Sequence, residues 1–120
     1  MTTRSAEAIA RAWLDAFNAH DVAAVVALYA DACTHTSPKL RALHPETRGK
    51  LIGKAALTGW WSEAMKRLPG IRYEATAVTA DATQVLIEYL RHAPNEPVMP
   101  VAEVFEVHEG QIVASRVYHG

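Results

Sequence analysis

Three side chains able to move protons lie in segments whose alternation reads as β-strand. In PVAEVFEVHE (Pro100 to Glu109), residues 101, 103, 105 and 107 share one strand face and read Val, Glu, Phe, Val. The opposite face reads Ala, Val, Glu, His and grows polar toward the turn. Glu103 is thus a lone carboxylate on the more apolar face, where it must be paired, hydrated or neutral, because a bare buried charge costs several kcal/mol. Desolvation raises such a group above its free value of about 4.3 and suits it to a proton shuttle or a neutral donor near pH 7. The plainer alternative is an ion pair with Arg72, Arg91 or Arg116. His35, in CTHTS, shares a face with Cys33 and Ser37. An imidazole is the most usual general base, though a single one also serves as a satisfied core or rim group. His119 shares a face with Val113, Ser115 and Val117. A fourth candidate, Glu88, falls with Leu90 and His92 opposite Val85, Ile87, Tyr89 and Arg91, and that alternation by itself turns the second set inward.

These residues need a scaffold. Residues 4–19 have helical spacing, with Ile9, Trp13 and Phe17 on one side. Asp21 caps a second helix whose apolar positions are Val22, Val25, Val26 and Tyr29. A short strand from Ala32 to Ser37 ends at Pro38, and residues 39–52 read mostly as loop. A third helix, about Lys54 to Leu68, stacks Leu57, Trp61, Ala64, Met65 and Leu68 until Pro69-Gly70 stops it. The period then changes to two, predicting strands near 71–80, 83–92, 98–108 and 111–119, with turns at Asp81, Ala93–Pro97 and Glu109-Gly110. Three helices followed by antiparallel strands form an α+β order. A twisted sheet would curl around its helices and leave a pocket between them. Trp13 and Phe105 are the aromatic residues expected on that pocket's wall, to hold a flat or apolar ligand.

The chain has 120 residues, which fits a single domain over 1–120. Twelve Lys and Arg against thirteen Asp and Glu give a formal charge of −1, so no basic excess exists to neutralise nucleic-acid phosphates. The single Cys33 excludes an intrachain disulfide. The closely spaced charges Arg4, Glu7, Arg11 and Asp15 do not fit a signal peptide, and the longest apolar run, Val22 to Ala30, is about half of what a bilayer requires. A cytoplasmic protein without a membrane partner is expected. GKLIGKA (Gly49 to Ala55) is no phosphate loop: its glycines are too close, and Ala55 stands where Mg²⁺ needs a hydroxyl. There is no G-x-S-x-G, C-x-x-C or H-x-x-x-H. Convergence of His35, His92 and His119 from three strands is the one conceivable metal set, and neither metal nor cofactor is expected.

NAHDVAAVVALYADACTHTSP (Asn18 to Pro38) resembles the helix–helix–strand opening of the nuclear transport factor 2-like superfamily, which includes the ketosteroid isomerases and SnoaL-like polyketide cyclases. GKAAL (Gly53 to Leu57) is similar to the start of its third helix, and VAEVFEVHEGQIVASRVYH (Val101 to His119) to its last hairpin. The resemblance spans nearly the whole chain. It implies a cystatin-like α+β cone, in which a curved antiparallel sheet wraps three helices around an apolar mouth, and a homodimer formed through the sheet's outer face. Tyr89 and Tyr118 would lie on that face. Residue by residue, the isomerase base corresponds to Ser37, which is no carboxylate; the phenol donor corresponds to Trp13, which donates only; and the neutral carboxylic acid corresponds to Glu103. The superfamily's epoxide hydrolases place their Arg and two Asp at Leu86, Glu88 and Val117, leaving one acid. The resemblance also turns the faces carrying His35, Ser115, Val117, His119 and Glu88 inward. For residues 83–92 this conflicts with the alternation.

The expected function is cofactor-independent proton transfer at carbon, as in an isomerase, cyclase or dehydratase, on a small apolar carbonyl compound. Glu103, His35 and His119 would carry the chemistry, with Trp13, Ser37, Glu88, Phe105, Ser115 and Val117 lining the pocket. The alternatives are a binding or protein-interaction module and an epoxide or ester hydrolase. Residues 39–52 would rim the mouth, with His44 and Arg48 as contacts.

Overall fold

The computed structural model describes residues 4–120. Helix α1 (Ala6–Asn18) begins where the Ser5 hydroxyl accepts from the Ala8 amide at 3.1 Å, and it buries the stripe Ala6, Ile9, Ala10, Trp13, Leu14 and Phe17. Helix α2 (Val22–Ala27) is capped by Asp21 in the same way. It ends before Tyr29, which opens strand β1 (Tyr29–Thr36) instead of completing the helical stripe.

The stretch expected as loop is mostly ordered structure. Ser37 caps a six-residue helix α3 (Pro38–Leu43) with Pro38 in its first turn. A 3₁₀ turn (Pro45–Thr47) and strand β2 (Lys50–Ile52) follow. Gly49 is required between them: its φ is +80°, and a Cβ there would sit 3.1 Å from Arg41 Cβ and 3.3 Å from the Ser37 carbonyl oxygen. Helix α4 (Lys54–Arg67) buries Leu57, Trp60, Trp61 and Ala64. The described residues therefore contain four α-helices where three were expected.

Strands β3 (Arg72–Ala80), β4 (Gln84–His92), β5 (Met99–His108) and β6 (Gln111–His119) match the alternation to within one residue at each end. Asp81 shapes the first turn by accepting from the Thr83 and Gln84 amides, both at 2.8 Å. Glu109 and Gly110 both have positive φ, the twist-matched geometry of a tight hairpin.

The six strands form one sheet in the order β2-β1-β6-β5-β4-β3. All pairs are antiparallel except β1 with β6, which run parallel and place His35 opposite Ser115. Helix α1 packs against β3, β4 and β5, α4 against β1 and β2, and α2 bridges the two helices. The curved sheet and its helices enclose an aromatic core. Trp13 stacks on Phe17 with ring centroids 5.3 Å apart and tilts against Phe105 at 5.3 Å. Tyr73 stacks between Phe17 (3.9 Å) and Tyr89 (4.1 Å).

Strand β3 is a sheet edge, and the end of α1 pins it. The Asn18 amide donates to the Tyr73 carbonyl at 2.8 Å and accepts from the Tyr73 N–H at 2.7 Å, and His20 Nε2 meets the Ile71 carbonyl oxygen at 2.6 Å. Replacing Asn18 with Ala removes both side-chain bonds at an exposed position. We expect a loss of about 1–2 kcal/mol, read as a lower urea midpoint at unchanged slope.

Candidate functional site

Glu103 lies mid-strand in β5, between Ile87 of β4 and Val117 of β6. It is 1% exposed. Tyr89, one pair further along β4 on the same face, donates its hydroxyl to Glu103 Oε1 at 2.9 Å. The other oxygen, Oε2, is buried and has no protein partner. No arginine compensates the group, because Arg91 turns to Glu96 at 2.6 Å and Arg116 to Glu106. Burial pushes the carboxyl up to about 8, against the opposing pull of the Tyr89 hydrogen bond. At neutral pH it is predominantly a carboxylic acid. Since Oε1 already accepts a proton from Tyr89, the acidic hydrogen belongs on Oε2, where it is a donor without an acceptor.

His35 reaches the same space from β1. Its Nδ1 lies 2.6 Å from Ser115 Oγ, and Ser115 Oγ lies 2.8 Å from the Tyr29 hydroxyl. The parallel register that sets His35 opposite Ser115 creates this chain, which no sequence pattern announces. Burial pushes His35 down to about 4, so its imidazole is neutral at physiological pH. Burial, and then the Glu103 charge, push the Tyr29 phenol up, so it stays protonated. With Nδ1–H donating to Ser115, the lone pair is on Nε2. Trp61 packs edge-on to the imidazole at 5.2 Å. The indole Nε1–H of Trp13, from α1, is also buried without an acceptor.

Glu103, His35, Trp61 and Trp13 line one cavity of about 50 Å³, room for a few water-sized groups and not for a multi-ring skeleton. Trp13, His35, Trp61, Tyr73 and Glu103 form its interior. Lys39, Arg67, Arg91 and His119 also border it. His119 is exposed at the mouth; burial and then the charges of Lys39 and Arg91 push its imidazole down. Val117 and Ser37 border the cavity too, but the Ser37 hydroxyl is the cap of α3.

Several expected residues lie elsewhere. Glu88 is exposed on the outer sheet face, because Val85, Ile87, Tyr89 and Arg91 take the inner one. Tyr89 is correspondingly buried beside Glu103 and is no outer-face residue, whereas Tyr118 is exposed. Phe105 is fully buried against Trp13 and does not reach the cavity. Ser115 sits behind His35 as its hydrogen-bond partner, not on the wall. His44 pairs with Glu63 at 3.2 Å, and neither it nor Arg48 borders the cavity; the 39–52 segment contributes Lys39. His92 turns to Glu74 at 2.9 Å, away from His35 and His119, and no three metal-ligating side chains gather among the described residues. Residues 86, 88 and 117 do not assemble a hydrolase acid pair, since only Val117 faces the cavity. Sequence reading missed Tyr89, Tyr73 and Arg91 as site residues, although the 85-87-89-91 alternation already carried the signal for two of them.

Residues 10–115 match the family model of the SnoaL-like domain, and the chain belongs to that family. Among solved structures it is similar to a SnoaL-like protein of unknown function from Burkholderia thailandensis, with 29% identity over 96% of this chain and 93% of that one, at a TM-score of 0.84. It is similar to a proposed polyketide cyclase from Xanthomonas campestris, with 25% identity over 96% and 90% of the two chains and a TM-score of 0.78. A proposed ketosteroid isomerase from Kribbella flavida shares the fold, with 18% identity over 96% and 77% and a TM-score of 0.78. No curated protein matches the sequence. Among the described residues, no helix is long and apolar enough to cross a membrane.

The Glu103 environment predicts a pH signature. Its folded-state value of about 8 lies above the unfolded 4.5, so the native state holds the proton that the unfolded state has released, and stability falls as pH rises through this window. His35, folded near 4 and unfolded near 6.5, acts oppositely but only below about 6.5. Between pH 6.5 and 8 the Glu103 contribution therefore stands clear of His35. Urea midpoints should decline across that range in the wild type. In Glu103→Gln that decline should be absent.

Proposed function

We propose that this protein catalyses proton transfer at the carbon next to a carbonyl group in a small molecule held between Glu103, Trp13 and His35. The observation carrying this reading is that Glu103 and Trp13, each with a buried donor lacking an acceptor (Oε2–H and Nε1–H), line one cavity together with a neutral imidazole. A carbonyl oxygen placed between the donors satisfies both. As a proton leaves the neighbouring carbon, negative charge builds on that oxygen, where preorganised donors in a water-poor site stabilise it most. His35 Nε2 is the acceptor for the proton. With a value of about 4 it is a weak base, so the transfer depends on the imidazolium and the oxyanion forming together, each stabilising the other. His35 acts here in the tautomer whose Nδ1–H donates to Ser115 Oγ, which in turn bonds the Tyr29 hydroxyl. By donating to Oε1, Tyr89 leaves the Glu103 proton on Oε2.

Glu103 is thus a neutral hydrogen-bond donor and electrostatic stabiliser, and His35 is the base. His119, at the mouth, has no proton to move in this scheme. The cavity's size favours a compact substrate over a polycyclic one. The identification of similar folds with a proposed cyclase and a proposed isomerase is consistent with enolate-type chemistry.

Exchange of carbon-bound hydrogen in D₂O, followed by proton NMR, tests the reading on butanone and 2-oxobutanoate. The wild type should exchange the hydrogens next to the carbonyl of at least one compound faster than buffer. His35→Gln should slow this by about 10²–10⁴-fold and Glu103→Gln by about 10²–10³-fold. Exchange at the buffer rate with both compounds, or full activity in His35→Gln, refutes it.

A further inference from the structure

The cavity's border carries a charge pattern that the proton-transfer chemistry does not use. Three cations, Lys39, Arg67 and Arg91, line it, and the only acid on its wall is Glu103, which is protonated at neutral pH. Arg91 is the unusual member: it is 6% exposed, on the inner face of β4, two residues from Tyr89. A buried guanidinium normally has its five N–H groups well satisfied. Here Nη1 donates to Glu96 Oε1 at 2.6 Å, and the Tyr73 phenol is the guanidinium's other side-chain partner. The same Glu96 oxygen also receives Lys39 Nζ at 3.5 Å, so one carboxylate is shared by two cations. Arg67 is 3.5 Å from Glu63, which also serves His44. The Lys39–Arg91–Glu96 group therefore carries a net positive charge next to an opening, and its field reaches His119.

We infer that the mouth is an anion subsite: the substrate carries a carboxylate that Arg91 and Lys39 hold, while its carbonyl lies deeper, against Glu103 and Trp13. This rests on the proton-transfer reading for the position of the carbonyl, but the anion preference stands on Arg91, Lys39 and Glu96 alone. The chemistry that fits is a short oxo acid, with the carboxylate and the reacting carbonyl on one compact skeleton. A guanidinium fork matches a carboxylate in two hydrogen bonds. The interior offers the anion no second cation, so the molecule can enter in only one orientation.

The comparison of 2-oxobutanoate with butanone isolates the carboxylate. Binding is measured by titration calorimetry and by amide chemical shifts, at low and high salt. The oxo acid should bind at least tenfold more tightly than the ketone, and added salt should erode that advantage. Arg91→Gln should remove it by tenfold or more, and Lys39→Gln by about threefold, with ketone binding unchanged in both. If circular dichroism shows Arg91→Gln to be unfolded, Lys39→Gln and the salt dependence decide. Equal affinity for the two compounds, or an oxo-acid preference untouched by salt and by Lys39→Gln, overturns the subsite. Oxo-acid preference without carbon exchange upholds the subsite and removes the proton-transfer reading. Exchange of both compounds with equal affinity does the reverse.

Discussion

A carboxyl group taken out of water at the middle of a sheet, with one phenol for company, constrains everything around it. Glu103 has no cation to offset its charge, so the fold is at ease only when the group is neutral. That requirement explains the neighbourhood. Tyr89 supplies a donor that leaves one oxygen protonated, and Tyr73 and Phe17 stack in sequence behind Tyr89 to hold the phenol in place. Trp13 spans from this stack toward Phe105 and Trp61, joining the first helix to both the sheet and the last helix. The aromatic core is therefore less a filler than a mounting for one acid.

On the other side of the cavity the same logic operates with opposite sign. Burial holds His35 neutral, and its hydrogen-bond chain through Ser115 to Tyr29 ends on a phenol that burial keeps from ionising. An acid raised and a base lowered are both uncharged at neutral pH, so the interior carries no net charge until a ligand polarises it. The cations stay at the border, where water and Glu96 share their load. Charge outside and neutrality inside is a division that low dielectric imposes on any pocket of this kind.

How far these features were legible follows from what each depends on. The four long strands could be read because each has one face against the core, and period-two alternation registers that directly. Helix α3 and strand β2 were not legible: six and three residues are too short to show a period, and their order comes from the Ser37 cap and the Gly49 approach. Glu103 was found because it interrupts an apolar face. For Glu88 the resemblance and the alternation of Val85, Ile87, Tyr89 and Arg91 pointed opposite ways, and burial follows the alternation. Phe105 and Ser115 point inward as expected, yet Trp13 and His35 stand between them and the cavity; facing a core and touching a void are different properties, and only packing separates them. The pairing of β1 with β6 was invisible, since no local pattern records which distant strand will lie alongside.

That pairing has a consequence for the order in which the protein is made. Strand β6 sits inside the sheet, yet it is the latest of the six strands in chain order. Until residues 111–119 emerge, β1 lacks its parallel neighbour and β5 has an open edge, so the two halves of the sheet have nothing to join them. More than a hundred residues precede β6 in the chain, so closure of the sheet is a long-range event whose loop entropy is met only when β6 docks. Until then the emerging chain exposes strand edges, the interval in which chaperone contact matters most.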